Sequence, residues 1–459
     1  MKQSNISRAA KQQALFQDIS VWKAIAALAV PSVFSMLVMI LYNMADMFFV
    51  GQLGDAAQVA AVSLVGPVFT LLMAVGSMLG GGGCALLAKT LGENRAESAK
   101  LYSSLAAWGS VVFGILFGTV MIVARHPLLQ FLGVNNEIEP YAATYLSVLA
   151  FGAPVMIFST AFGSIVRAEG AVKEGFLAHL LSTVTNMTLD PVFILTFRMG
   201  VGGAAIATVL GNVVGCVYLV FYILRRSANF TLSPFPSIRN PAALGSLLAI
   251  GLPNFINSTL VGFAHALANQ LLIQYGTLAV AGMASASKTT MLISMTQMGI
   301  TVGVQPLLAY NYGAKNILRI REAVSKLSLL TLGVGLFLTG ICFMEGKQIV
   351  ALFLKEPDAL VLGQQFVRLL VLTGPFLGLY YLASSFLQAS GNAKTATFVS
   401  LLRQGIFLIP LLYGMNALFG MYGNIAAHIA ADLLAASVAA FLALRQYRML
   451  KNNTSKEMH

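Results

Sequence analysis

The sequence predicts an all-α integral membrane protein, with twelve transmembrane helices in two six-helix lobes related by a pseudo-two-fold axis along the membrane normal. Three observations predict it. Of 459 residues, 58 % are hydrophobic and only 10 % charged, where soluble domains carry roughly a quarter charged; mean hydropathy is +0.80. Twelve apolar stretches approach or exceed the ~20 residues that span a bilayer. The second half of the chain also repeats landmarks of the first.

The first stretch, 20–49, carries Pro31, and the second, 58–82, closes on Gly80–Gly83. Those glycines favour close helix packing, since no flanking strand or GxxxxGK pattern supports a phosphate loop. The next four cover 101–124, 143–166, 174–197 and 201–224. The second six cover 244–272, 281–308, 322–344, 364–388, 396–419 and 421–444. The chain thus divides into a first lobe, 1–224, an inter-lobe linker, 225–243, a second lobe, 244–445, and a tail, 446–459. The polar start (Lys2, Arg8, Lys11, Asp18) is expected to form an interfacial helix. It lacks a short apolar core with a small-residue cleavage site, so no removable signal peptide is expected. Prolines inside the stretches, Pro31 and Pro253 among them, remove a backbone donor and tend to kink their helices.

Lys+Arg total 28 against 16 Asp+Glu, a net charge of +12. With a cytoplasmic N-terminus, 21 of these bases fall in inner segments and only Arg125, Arg198, Lys347 and Lys355 in outer loops. That bias orients the chain with both termini cytoplasmic and makes the surplus a topology signal rather than a nucleic-acid face. Cys84, Cys216 and Cys342 are too few and too far apart for a disulfide framework or a zinc site. No HExxH, DxxD or Ser/His constellation lies within a span, so neither an enzyme nor a resident cofactor is expected.

The halves align at an offset of 221–222: Pro31 with Pro253, Gly54 with Gly276, Gly92 with Gly313, Pro154 with Pro375 and Gly170 with Gly391. Six helices per repeat is an even number, so both repeats enter the membrane from the same side, as parallel transporter repeats do. Two such lobes enclose a cleft that rocking exposes alternately, which a simple pore does not require.

Three acids fall within spans: Asp46, Asp190 and Asp432. A charge there costs a few kcal/mol or more, which makes each a functional candidate. Asp46 sits near the outer end of the first span, and Asp190 has Asn186 one turn earlier on the same face. Two carboxylates sharing a poorly solvated pocket cannot both ionise cheaply, so the pair is a natural proton acceptor. With Asn186 and Thr208 adding oxygens, the same group also suits a sodium ion. The plainer alternatives are an interfacial Asp46, a helix-ending Asp190–Pro191, an interhelical hydrogen bond from Asn186 and ordinary packing for Thr208. Asp432 is expected to pair with Arg403, and His265 to be a buried, hydrogen-bonded histidine; Lys288 and Arg368 either line the second lobe or snorkel.

The first span LAVPSVFSMLVMILYNMADMFFVGQLG, the NMTLDPVFI segment and the duplicated six-helix layout resemble the multidrug and toxic compound extrusion (MATE) transporters. The resemblance covers essentially the whole chain. It implies a cation-coupled antiporter of the plasma (inner) membrane, monomeric, exporting amphipathic and often cationic drugs. It also implies that Asp46 is the essential first-helix carboxylate, with Asn186, Asp190 and Thr208 as its partners. Tyr145 matches a tyrosine that hydrogen-bonds within that cavity, and Pro31 the point where the first helix bends on protonation. NorM-like members add acids in helices 7 and 10. Here helix 7 offers His265, Asn269 and Gln270 and helix 10 no acid, so the pattern is closer to the DinF-like branch and to coupling by protons. Sodium coupling at the same site is the nearest variant. A lipid-linked oligosaccharide flippase shares the topology but calls for a cavity lined with Arg and Lys, whereas most bases here are in loops.

Overall fold

A computed structural model describes residues 13–52, 55–351 and 357–457; the side chains of residues 43, 45–47, 56 and 453–457 lie outside that description. No strand occurs among the described residues. With no water in the hydrocarbon to satisfy N–H and C=O groups, long apolar stretches close their hydrogen bonds internally as helices. In chain order these are α1 (Val21–Gly51), α2 (Ala56–Gly92), α3 (Ala96–Val123), α4 (Glu139–Ile165), α5 (Val172–Pro191) and α6 (Gly200–Arg226). The second set is α7 (Ala243–Leu272), α8 (Thr277–Gly313), α9 (Ile317–Met344), α10 (Pro357–Ala389), α11 (393–419) and α12 (421–457).

Among the described residues, ten helices are long and apolar enough to cross a membrane. Two further facts recover the twelve expected spans. Helices α11 and α12 are continuous except at Gly420, whose φ of 60° and ψ of −140° break the helix. Helix α5 has 20 residues, but Lys173, Glu174, His179, Asn186 and Asp190 make it too polar to stand out by hydropathy.

Helix ends follow local chemistry. Asp55 starts α2: its carboxylate accepts from the Ala57 N–H (2.9 Å) and the Gln58 amide (3.1 Å). The Gln58 amide first, and then the Ala57 N–H, hold this carboxyl below its ordinary pKa. Its capping contribution is therefore present above the usual carboxylate pKa and is lost as acid carries it through the lower folded value. After α4 and α10 the chain turns through Gly170 (φ 78°) and Gly391 (φ 80°), the aligned pair of the duplication. Left-handed backbone at both explains why glycine recurs there.

Two compact units result, one holding 13–15 and 34–255, the other 16–33 and 256–457. They do not coincide with the lobes drawn from sequence. The first half of α1 belongs to the second unit, and the first half of α7 to the first. Both divisions fall two residues beyond the aligned prolines Pro31 and Pro253, and both helices remain continuous through them.

Within the first unit α4 packs against α2, α3 and α6; within the second α10 packs against α8 and α9. The duplication extends to single contacts. A Cβ on Gly114 would overlap the Pro154 backbone, and one on Gly335 would lie 2.7 Å from Pro375 Cα. Gly80–Gly83 does not close the second helix as expected. Helix α2 runs on to Gly92, because these glycines are its contact surface: a Cβ on Gly82 would meet the Leu247 carbonyl, and Asn254 Nδ2 donates to Ser77 O at 3.3 Å. In the second unit, Gly303 of α8 likewise receives Ser32 and Leu28 of α1. The expected close packing is therefore present, at a place set by the exchanged half-helices.

Gly251→Ala tests this contact, since even one carbon would overlap the Met78 carbonyl. We expect thermal melting in detergent to show a loss of about 1–3 kcal/mol. Gly262→Ala in the same helix, with open space around it, should be neutral or stabilising.

The expected interfacial helix at Lys2, Arg8 and Lys11 lies outside the described residues. The following turn, Ala14–Asp18, is helical, with Phe16 fully buried. Asn311 Nδ2 (3.1 Å) and Arg319 Nε (2.5 Å) both donate to Phe16 O, tying it to the second unit. The inter-lobe linker is a strap on α3: Trp108 Nε1 donates to Leu232 O (3.0 Å) and Ser104 Oγ to Ser233 O (2.6 Å).

Candidate functional site

Helix α5 supplies two of the expected site residues because Asn186 and Asp190 stand one turn apart on one face. Pro191 has no N–H to continue the ladder, yet the helix does not stop there as the plainer reading expected. It widens into a π turn over Val192–Thr196. The Asp190 carboxyl is thereby held inside the helix, fully buried, with Asn186 at 2 % exposure.

Thr208 of α6 faces them. Asn186 Nδ2 donates to Thr208 Oγ1 at 3.3 Å and makes a longer contact, 3.5 Å, to Asp190 Oδ1. Helices α5 and α6 approach this closely because Gly211, one turn beyond Thr208, has no side chain. A Cβ there would lie 2.6 Å from Ser182 O and 3.1 Å from Asn186 Cβ. Asn186 Oδ1 is buried without a hydrogen-bond partner among the described residues, and such a group calls for a donor or a cation.

Tyr145 is buried on α4, which packs against α6 in the same unit. Asp46 lies on α1 beyond Pro31, and its side chain is outside the described residues. Thus Asn186, Asp190 and Thr208 are brought together as anticipated, with Tyr145 on a neighbouring helix. Gly211, which sets the separation of the two helices, was not anticipated; only its one-turn spacing from Thr208 hinted at it.

The second unit holds a different polar cluster. Arg403 and Asp432 form the expected ion pair, with Nε to Oδ1 at 2.7 Å. Arg403 Nη1 donates to Tyr381 OH (3.2 Å), and its guanidinium lies over the rings of Tyr380 and Tyr381. His265 differs from expectation: it is exposed rather than buried, makes no hydrogen bond among the described residues, and its ring lies against that of His428 with centroids 6.4 Å apart. The reason is its place on the exposed face of α7, beside Phe263, Ala266 and Asn269. Sequence reasoning missed His428, although it stands one turn before Asp432 on the same face. Arg368 lies over the Phe343 ring. Among the described residues no cluster of three or more His, Cys, Asp or Glu forms a metal site.

Two duplicated helical units with buried polar clusters inside spans define a multi-pass membrane protein. The family model for MatE matches residues 31–192 and again 253–413, one copy in each half, and the chain belongs to that family. It is similar to the multidrug export protein MepA of Staphylococcus aureus strain MRSA252, 30% identical over 426 residues, covering 92% of this chain and 94% of that protein. MepA of Staphylococcus saprophyticus is 29% identical over 426 residues with the same coverage. Among solved structures, MATE in complex with MaL6 has a TM-score of 0.90 at 25% identity, covering 96% of this chain and 99% of that one. MATE in the bent conformation has a TM-score of 0.89 at 24% identity, covering 97% and 99%, a likeness of fold.

Proposed function

We propose that this chain is a cation-coupled antiporter that exports amphipathic, often cationic compounds, driven by protons bound at Asp46 and Asp190. The observation that carries the reading is the fully buried Asp190 carboxyl, held with Asn186 and Thr208 inside an intramembrane helix. Keeping a carboxyl there costs several kcal/mol when it is ionised, so its charge state answers to what occupies the site. The relatives named multidrug export proteins support the substrate class.

In this reading the ionised acids favour a cationic substrate. Protons arriving from outside neutralise Asp46 and Asp190, remove that attraction and let α1 bend near Pro31, which expels the substrate. Release of the protons to the cytoplasm resets the site. Both termini face the cytoplasm of a cell whose plasma (inner) membrane holds the protein as a monomer among its lipids, and no cofactor takes part besides the coupling ion.

Sodium held by Asp46, Asn186, Asp190 and Thr208 is the second reading, favoured by the buried and unpartnered Asn186 Oδ1. Reconstituted protein exporting a fluorescent cationic dye under separate proton and sodium gradients decides between them. Export with a proton gradient alone is the expected result. Export only with sodium supports the second reading, and flux needing neither gradient overturns both.

A further inference from the structure

The duplication supplies an internal control for charge. At the 221-residue offset, Glu93, Glu97, Glu169 and Glu174 of the first unit align with Ala314, Leu318, Ser390 and Thr395 of the second. Each acid has a neutral counterpart. In the first unit all four are engaged: Glu93 with Arg95 (3.4 Å), Glu97 with Lys100 (2.8 Å) and Glu174 with Arg226 (3.4 Å), while Glu169 accepts from Ser227 Oγ (2.9 Å).

The second unit keeps bases where it has dropped acids. Lys315, Lys394, Arg445, Arg448 and Lys451 are all exposed, and two hydrogen bonds bring their three segments together. Asn392 Nδ2 donates to Gln446 Oε1 at 3.0 Å, and Gln446 Nε2 donates to Tyr312 OH at 3.3 Å. Residues 312–316, 391–396 and 445–452 contain no Asp or Glu. Lys315 has a φ of 54°, against 58° for Asn94 in the aligned turn. Left-handed backbone suits asparagine and strains lysine, so the turn does not account for the base. Orientation in the membrane does not account for the missing acids, because Lys and Arg set topology and nearby acids contribute little.

The surroundings point to what the face meets. At ~1.5 Å per residue α12 (421–457) runs about 55 Å, well beyond the roughly 30 Å of a bilayer's hydrocarbon. Arg445, Arg448 and Lys451 follow the expected end of its span, three residues apart along one side of the helix. Leu318, Leu444 and Met449 are exposed beside these bases. Positive charge bordered by bare apolar side chains matches a phosphate joined to acyl chains, and not an anion dissolved in water.

We propose that this face of the second unit binds the headgroups of anionic phospholipids, whose phosphates bridge the α8–α9 turn, the α10–α11 turn and the end of α12. The first unit lacks such a face because its own carboxylates neutralise its bases. The inference depends neither on the coupling ion nor on which side of the membrane the tail faces, since the three segments share one side in either case.

The test is thermal melting of the full-length protein in an uncharged detergent, titrated with phosphatidylglycerol. Phosphatidylcholine is the neutral control, and glycerol 3-phosphate presents the headgroup without acyl chains. A ligand of the folded state raises the melting temperature as it fills its site. Phosphatidylglycerol alone should do so, at concentrations that rise with added salt. Lys394→Gln, Arg445→Gln and Arg448→Gln combined should require at least tenfold more lipid, since each base near an anionic surface accounts for roughly a fivefold change. Arg95→Gln with Lys100→Gln, whose bases are already paired in the first unit, should titrate like the parent. Native mass spectrometry counts the phosphatidylglycerol retained by each variant, and so reads binding even where a substitution alters melting by itself. Equal stabilisation by phosphatidylcholine, an equal effect of glycerol 3-phosphate, or lipid retention unchanged in the triple variant overturns the proposal.

Discussion

Asp190→Asn should lower gradient-driven export of a cationic dye by about 5- to 150-fold, the range of typical coupling energies between linked binding events, at unchanged expression and melting temperature. The substitution keeps size and one acceptor, so the packing of α5 on α6 around Gly211 is preserved. It removes the one property the mechanism needs, a buried group that changes charge. Passive exchange of dye should survive, because the variant mimics the protonated state permanently. Thr208→Ser, which keeps the hydroxyl that meets Asn186 at 3.3 Å, should retain most activity, and Thr208→Val should not. Asp46→Asn tests the other half of the pair in the same assay. If Asp190→Asn pumps like the parent protein, coupling does not reside in this cluster.

What could be read from sequence follows from what each signal encodes. Apolar length encodes a span, and eleven of the twelve stretches announced themselves that way. Helix α5 was still counted as a span, although Lys173, Glu174 and His179 lower its hydropathy together with Asn186 and Asp190, the two that make it the site. The Asn186–Asp190 pair was legible because residues four apart share a helix face. Thr208, on another helix, was legible as an oxygen in the same half of the chain, but nothing in the sequence says that it faces Asn186. Least legible was the exchange of half-helices between the units. Hydropathy records that Leu28 and Leu247 are buried, not which helix buries them. Only the glycines facing them, Gly303 and Gly82, mark the partner, and a glycine in sequence does not say what it approaches. His428 was missed for a related reason: a single histidine in an apolar helix acquires chemistry only from a neighbour far away in the chain.

The pair Arg403–Asp432 carries the second large effect. Its side chains are 11% and 12% exposed, so removing either partner strands a charge in a poorly solvated place. Arg403→Met and Asp432→Leu should each cost about 3–5 kcal/mol of stability, read by thermal melting in detergent. The double variant should recover most of that loss, because two apolar side chains leave no charge behind. Recovery will be incomplete, since the guanidinium also lies over the rings of Tyr380 and Tyr381, contacts worth about 0.5–2 kcal/mol. Two single losses that simply add in the double variant would show that the ion pair is not what each residue provides.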